Sequence, residues 1–160
     1  MTGTLRQVFV LTLFLMLSQG SGQTTSPSLS VAIDARYPSI QSGAQVDVHV
    51  KLTNVTKKSI LIVDRNRDCD YSVLVYDARG AQVPVTDYQR QLACNSSFVA
   101  GKWIPITLKP GDSREDEIAV SKFRAMVQPG KYTVQILRNI PKDLGSSPVP
   151  SNVITITITP

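Results

Sequence analysis

The sequence predicts an all-β protein, an antiparallel β-sandwich of about eight or nine short strands. Three observations carry this. Apolar and polar residues alternate with a period of two along most of the chain, turn sequences punctuate that alternation, and only one stretch reads as a helical turn. Alternation means that one face of each strand is buried and the other wet, as in antiparallel sheets. Many short strands between turn signals indicate a sandwich or barrel.

The N-terminus comes first. A single cation, Arg6, precedes the apolar run Val8 to Leu17, and the small polar stretch SQGSGQ follows. The run is too short to span a bilayer, which takes about 20 apolar residues. A basic start, a short apolar core and small residues match a cleavable export signal. Residues 1–22 read as that signal, 23–28 as a polar tether and 29–160 as the sandwich. No other stretch reads as a membrane span, so no stable span is expected in the mature form. The expected location is secreted or periplasmic.

Strands follow in order. LSVAI alternates Leu29, Val31 and Ile33, and VDVHVKL alternates Val46, Val48, Val50 and Leu52. SILIV, YSVLVYD and AQVPVT continue the pattern. WIPITL offers Ile104, Ile106 and Leu108, and DEIAV offers Ile118 and Val120. KYTVQIL offers Tyr132, Val134 and Ile136, and NVITITIT sets Ile154, Ile156 and Ile158 against threonines. The turns agree. Asp77 to Gly80, DARG, suits a type I turn, and Pro110-Gly111 and Pro129-Gly130 suit type II turns. SKFRAM, Ser121 to Met126, reads as one helical turn capped by Ser121, with Phe123 and Met126 on one face.

The order of these stretches resembles the immunoglobulin-like fold of bacterial intracellular proteinase inhibitors and of similar exported domains. The residues that carry the resemblance are VHVKLTNVTKKSI, YSVLVYDARGAQV, ITLKPG and QPGKYTVQI. It covers about Leu29 to Thr159. The resemblance implies that Tyr132 is a corner tyrosine, tying its hydroxyl to backbone beside Pro129 and Gly130. It implies no inhibitory loop that maps onto this chain residue by residue.

Cys69 and Cys94 are the two cysteines. In an exported chain an even count favours a disulfide over two free thiols. The stretch DRNRDCDYS, Asp64 to Ser72, also alternates oxygen-bearing side chains: Asp64, Asn66, Asp68 and Asp70. Alternate oxygens open a helix–loop–helix calcium loop, which then needs glycine at position six and glutamate at twelve. Those positions are Cys69 and Val75, Arg65 and Arg67 interleave, and the flanks read as strands. A polar connection between strands is the better account. A non-standard calcium site on the same four residues is the alternative.

Catalysis has little to build on. His49 is the sole histidine, so a serine–histidine–acid group would need it, but it sits on the polar face of a strand, where a histidine is far more often plain surface. Asp116 and Glu117 are adjacent and point to opposite faces, while Glu115 and Glu117 share one. No cofactor motif appears. The net charge is +5, with the cations scattered. Nucleic-acid binding would want a basic stripe with stacking aromatics, so no nucleic acid is expected. Asn54-Val-Thr56 and Asn95-Ser-Ser97 match the glycosylation sequon.

Recognition by loops remains. Strand alternation puts residues 54–58, 77–80, 109–112 and 139–152 at one end. It puts 64–70, 87–101 and the corner before Tyr132 at the other, which brings Cys69 and Cys94 together. Tyr71, Tyr88, Arg90, Phe98 and Trp103 at that end are the candidate partner contacts, since aromatics and arginine anchor interfaces. The bland reading is that Trp103, Phe98 and Tyr71 cover the core. The sequence therefore points to a non-catalytic binding or structural module facing a protein or envelope component. A protease inhibitor is the alternative, and a calcium-dependent or hydrolytic enzyme the outsider.

Overall fold

In the computed structural model the described residues are 28–94, 104–140 and 148–160. The signal, most of the tether, Phe98, Trp103, the Asn95 sequon and half of the 139–152 loop lie outside them. Strands β1 (Leu29–Ala35), β3 (Asp47–Asn54) and β7 (Ser113–Ala119) form one antiparallel sheet in the order β1-β3-β7. Strands β2 (Ser39–Gln41), β10 (Ile154–Thr159), β8 (Gly130–Arg138) and β5 (Tyr71–Asp77) form the second in that order, with β9 (Val149–Pro150) also pairing with β8. A separate two-stranded ribbon joins β4 (Ile60–Asp64) to β6 (Ile104–Leu108). The fold is an immunoglobulin-like β-sandwich. The first stretch of chain serves both sheets: it leaves β3 after Ala35 and pairs as β2 in parallel with β10.

The alternation holds where it was strongest. Leu29, Val31, Ile33, Val48, Val50, Leu52 and Ile118 from the first sheet meet Val73, Val75, Val134, Ile136, Ile156 and Ile158 from the second, all buried in one cluster. Each such side chain contributes about 1.5–3 kcal/mol on burial, so this seam is the main source of stability. The Lys109–Asp112 turn has Gly111 at φ +81° and Asp112 N donating to Lys109 O at 3.0 Å, as a type II turn requires. At Asp77–Gly80, Gly80 N donates to Asp77 O at 2.9 Å and Gly80 sits at φ +78°.

Several expectations are corrected. Gly130 has φ +154°, far from the +80° of a type II turn, and opens β8 instead. The corner is closed by the Tyr132 hydroxyl, which donates to Gln128 O at 2.7 Å. AQVPVT forms only isolated bridges, Gln82 to Tyr76 and Val85 to Arg124, because Pro84 has no N–H for a ladder. Ile104 is exposed rather than inward.

Helical turns are also commoner than the sequence reading allowed. They are α1 (Arg67–Asp70), α2 (Asp87–Gln91) and α3 (Val120–Phe123). Ser121 does not cap α3; Ala119 holds that position, and Ser121 Oγ instead accepts from Val46 N at 3.1 Å. Phe123 and Met126 do share burial in the core.

The assignment of loops to ends is corrected too. Tyr71 pairs with Arg138 and Asp77 with Tyr132, so residues 77–80 lie against the corner before Tyr132. Asn54 and the 109–112 turn, bonded through Asn54 N to Asp112 O at 3.0 Å, occupy the opposite end with Asn139. The physical reason is the ribbon. Strand β4 pairs with β6 outside both main sheets, so β4 and α1 together make one long connection between β3 and β5.

Candidate functional site

The segment from Asp64 to Tyr71 lies along the flank of the sandwich beside β7. Asn66 starts α1 by accepting from Asp68 N at 3.0 Å, the usual way to satisfy a first-turn amide. Within one turn the chain reverses into β5. The short turn brings Asp64 and Asp70 to the same guanidinium, that of Arg138, and sends Asp68 to Lys122.

Asp64 pairs with Arg114 and lies 3.4 Å from Arg138. Asp70 accepts from Arg65 Nε at 3.1 Å and Arg65 N at 3.0 Å, and lies 3.4 Å from the Arg138 guanidinium. Asp68 accepts from Lys122 Nζ at 2.6 Å and from the Tyr88 hydroxyl. Burial works to raise the Asp68 carboxyl, but the hydrogen bonds from Lys122 and Tyr88 outweigh it and hold it below its ordinary range. The bond to Asp68, and then that to Tyr88, raises Lys122. The same oxygens are those on which the calcium alternative would rely. Asp64 and Asp70 meet at Arg138, Asp68 pairs with Lys122 and Asn66 caps α1, so the four side chains already serve cations and backbone. Among the described residues no cluster of three metal-ligating side chains forms.

Asp70 and Arg138 are both buried, at 2% and 3% exposure. Buried charges persist only when paired and hydrogen-bonded, and Arg138 also donates to Val63 O at 3.0 Å. Tyr71 is part of this interior rather than of an exposed face. It is 4% exposed, its ring lies 5.0 Å below the Arg138 guanidinium, and its hydroxyl donates to Asp116 Oδ2 at 2.8 Å. Burial first, then Asp116, raises its phenol well above the usual range. Tyr71 is therefore a core residue and not a partner contact.

Cys69 and Cys94 form a disulfide with Cα atoms 5.3 Å apart. The bridge ties α1 to the segment following α2. Helix α2 begins at Thr86, whose hydroxyl accepts from Gln89 N at 3.2 Å. It carries Tyr88, 37% exposed, with its ring edge-on to Phe123 at 5.9 Å and Lys122 Nζ 4.1 Å above it. Arg90 is exposed, pairs with Asp87 and donates to Val85 O at 2.8 Å. So the structure places Tyr88 and Arg90 two residues apart on α2, whose following segment the disulfide joins to α1, and sends Tyr71 inside.

The sequence reading missed Arg114, Asp116, Lys122, Arg138 and Asn139. Two signals were available. Arg114 and Asp116 alternate in phase with Ile118, and Arg138 in phase with Tyr132, Val134 and Ile136, so each falls on a core-facing position. Thr86 and Gln89 also have the spacing of a capping box.

No protein-family model matches the chain. No curated protein matches it in sequence. Among solved structures it is similar to a β-glucosidase from Erythrobacter marinus, at TM-score 0.42 and 13% identity, covering 82% of this chain and 15% of that one. It is also similar to the CARDB domain of a Pyrococcus furiosus protein in complex with di-metal ions, at TM-score 0.42 and 12% identity, covering 83% and 89%. A sporulation control protein from Bacillus subtilis matches at TM-score 0.42 and 13% identity, covering 83% and 50%.

Proposed function

We propose that the protein is an exported, non-catalytic binding module that meets a protein or envelope partner through the braced turn α2, which carries Tyr88 and Arg90. One observation carries this reading: an exposed tyrosine and arginine stand on a turn held by a disulfide and by the Asp68 bond to Tyr88. Tyrosine and arginine are favoured interface anchors. Side chains fixed before docking lose less freedom on binding. The disulfide, together with the signal-like N-terminus, supports export.

The test uses the mature chain as bait against the native envelope and secreted fractions, beside Tyr88→Ala and Arg90→Ala. Arg90→Ala is expected to keep the parent melting temperature, while Tyr88→Ala gives up the Asp68 bond and the Phe123 contact, so Tyr88→Phe, which keeps the ring, is run beside it. The reading expects a saturable partner captured by the parent and lost, at least ten-fold in affinity (about 1.4 kcal/mol), with either variant. Equal capture by parent and both variants would place recognition elsewhere.

A further inference from the structure

We infer that the end of the sandwich formed by the 55–58 and 109–112 turns is a second interaction surface. It rests on an anionic lipid bilayer through Lys57, Lys58 and Lys109.

Lys109 is remote from Lys57 and Lys58 in sequence, and one buried side chain brings the two turns together. The Asn54 amide nitrogen donates to Lys58 O at 2.8 Å and to Leu108 O at 2.9 Å, so carbonyls from both turns meet at one atom. Asn54 O accepts from Gly111 N, and Asn54 N donates to Asp112 O, each at 3.0 Å. The 109–112 turn is thereby held against the 55–58 turn. Lys57, Lys58, Lys109 and Pro110 are exposed, and Val55 is 54% exposed. The two turns carry three cations and one anion. That anion, Asp112, accepts from Lys109 N at 2.9 Å and closes its own turn. Among the described residues no carboxylate forms an ion pair with any of the three lysines. At the opposite end, by contrast, Arg79 is paired with Asp77.

A bilayer surface suits this tip on three counts. Each lysine close to an anionic leaflet favours binding by about five-fold. The attraction fades within a Debye length, so the cations must protrude, as they do on these turns. Exposed Val55 and Pro110 stand among the lysines, apolar groups able to enter the headgroup layer without spanning it. The chain also enters the sandwich here, where Val55 N donates to Ser28 O at 3.3 Å. Residues 18–27 separate Ser28 from the apolar run Val8 to Leu17. Fully extended, a stretch of that length reaches about 35 Å at most. While an export signal sits in the bilayer, this end of the sandwich is therefore the one tethered beside it. That third count rests on the export reading; the charge and the geometry do not.

The test is co-sedimentation of the mature protein with vesicles at low and high salt. Phosphatidylcholine vesicles containing one-third phosphatidylglycerol are compared with phosphatidylcholine alone. The surface predicts binding to the anionic vesicles only, lost at high salt, and weakened at least about ten-fold in Lys57→Gln/Lys58→Gln/Lys109→Gln. All three side chains are exposed, so that variant is expected to keep the parent melting temperature. Arg79→Gln/Lys131→Gln, at the opposite end, is expected to change partition by less than about two-fold. Arg90→Ala is expected to partition as the parent does, which separates this surface from the α2 turn. Equal partition of the triple variant and the parent would overturn the inference. So would equal binding to neutral vesicles, or the same loss in the variant at the opposite end. Lysine-dependent binding of inorganic polyphosphate without binding to vesicles would assign the tip to a soluble polyanion and overturn it as well.

Discussion

The guanidinium of Arg138 lies 3.4 Å from the carboxylate of Asp70, and both side chains are almost wholly withdrawn from water. Arg138 ends the inward-facing row of β8, and Asp70 closes α1. Their pairing fixes where the long β4–α1 connection docks on the sandwich. Arg65 and Asp64 extend the pair outward toward Arg114 and Asp116.

Breaking that pair from one side leaves a buried charge with only its outer partner, Arg65 for Asp70 or Asp64 for Arg138. Arg138→Met or Asp70→Asn is expected to cost about 3–5 kcal/mol of unfolding free energy, measured by urea denaturation. The double variant Arg138→Met/Asp70→Leu is expected to cost clearly less than the sum, because neither charge is left alone. Strict additivity would contradict the assignment.

Asn54 makes a second prediction. Its side chain, in phase with Val48, Val50 and Leu52, is 1% exposed. The amide nitrogen donates to Lys58 O at 2.8 Å and Leu108 O at 2.9 Å, and the oxygen accepts from Thr56 N and Thr56 Oγ1. The sequon is thus a structural knot joining β3 to the ribbon. Asn54→Ala is expected to destabilise by about 1–3 kcal/mol for each carbonyl left without its donor. In a glycosylating host, peptide mapping of natively folded protein is expected to show Asn54 unmodified. A glycan at Asn54 in protein that melts normally would refute this.

His49 sets a small pH dependence. On the outer face of the first sheet it lies opposite Asp34 on β1 and Glu117 on β7, with Glu115 and Lys51 beside it. The hydrogen bond His49 donates to Asp34 leads in raising its pKa above 6.5, with burial opposing and Glu115 assisting. A raised folded pKa stabilises fully below the unfolded value and is lost as pH rises through the folded one. Stability is therefore expected to fall as pH rises above about 6.5, by less than about 1 kcal/mol given the exposure of the group. His49→Gln is expected to flatten that part of the pH–stability curve; an unchanged slope would assign it elsewhere.

Much of this was legible in the sequence, for a physical reason. A residue at a core-facing strand position announces itself by phase, so Val50, Ile136 and Ile156 were readable as core. Phase was not followed through for charged residues, and so Arg138, Arg114 and Asp116 were missed. The ends of the strands were less legible. Strand β4 pairs with a partner over forty residues away rather than crossing the main sheets, and no local pattern records that choice. The candidate site divided in the same way. Alternation in YSVLVYD puts Tyr71 in phase with Val73 and Val75, which predicts its burial. Apart from Arg65, the partners of the acids in DRNRDCD come from β7, α2, α3 and β8, and only the tertiary fold supplies those.

The central claim is that this segment is a charge-saturated, disulfide-held brace whose four alternating oxygens already serve the protein's own cations and backbone. The most direct measurement is the melting temperature of oxidised mature protein with and without millimolar calcium, followed by chelation. The account predicts the same melting temperature in all three conditions. A rise of several degrees with calcium, reversed by the chelator and abolished by Asp68→Asn, would contradict it.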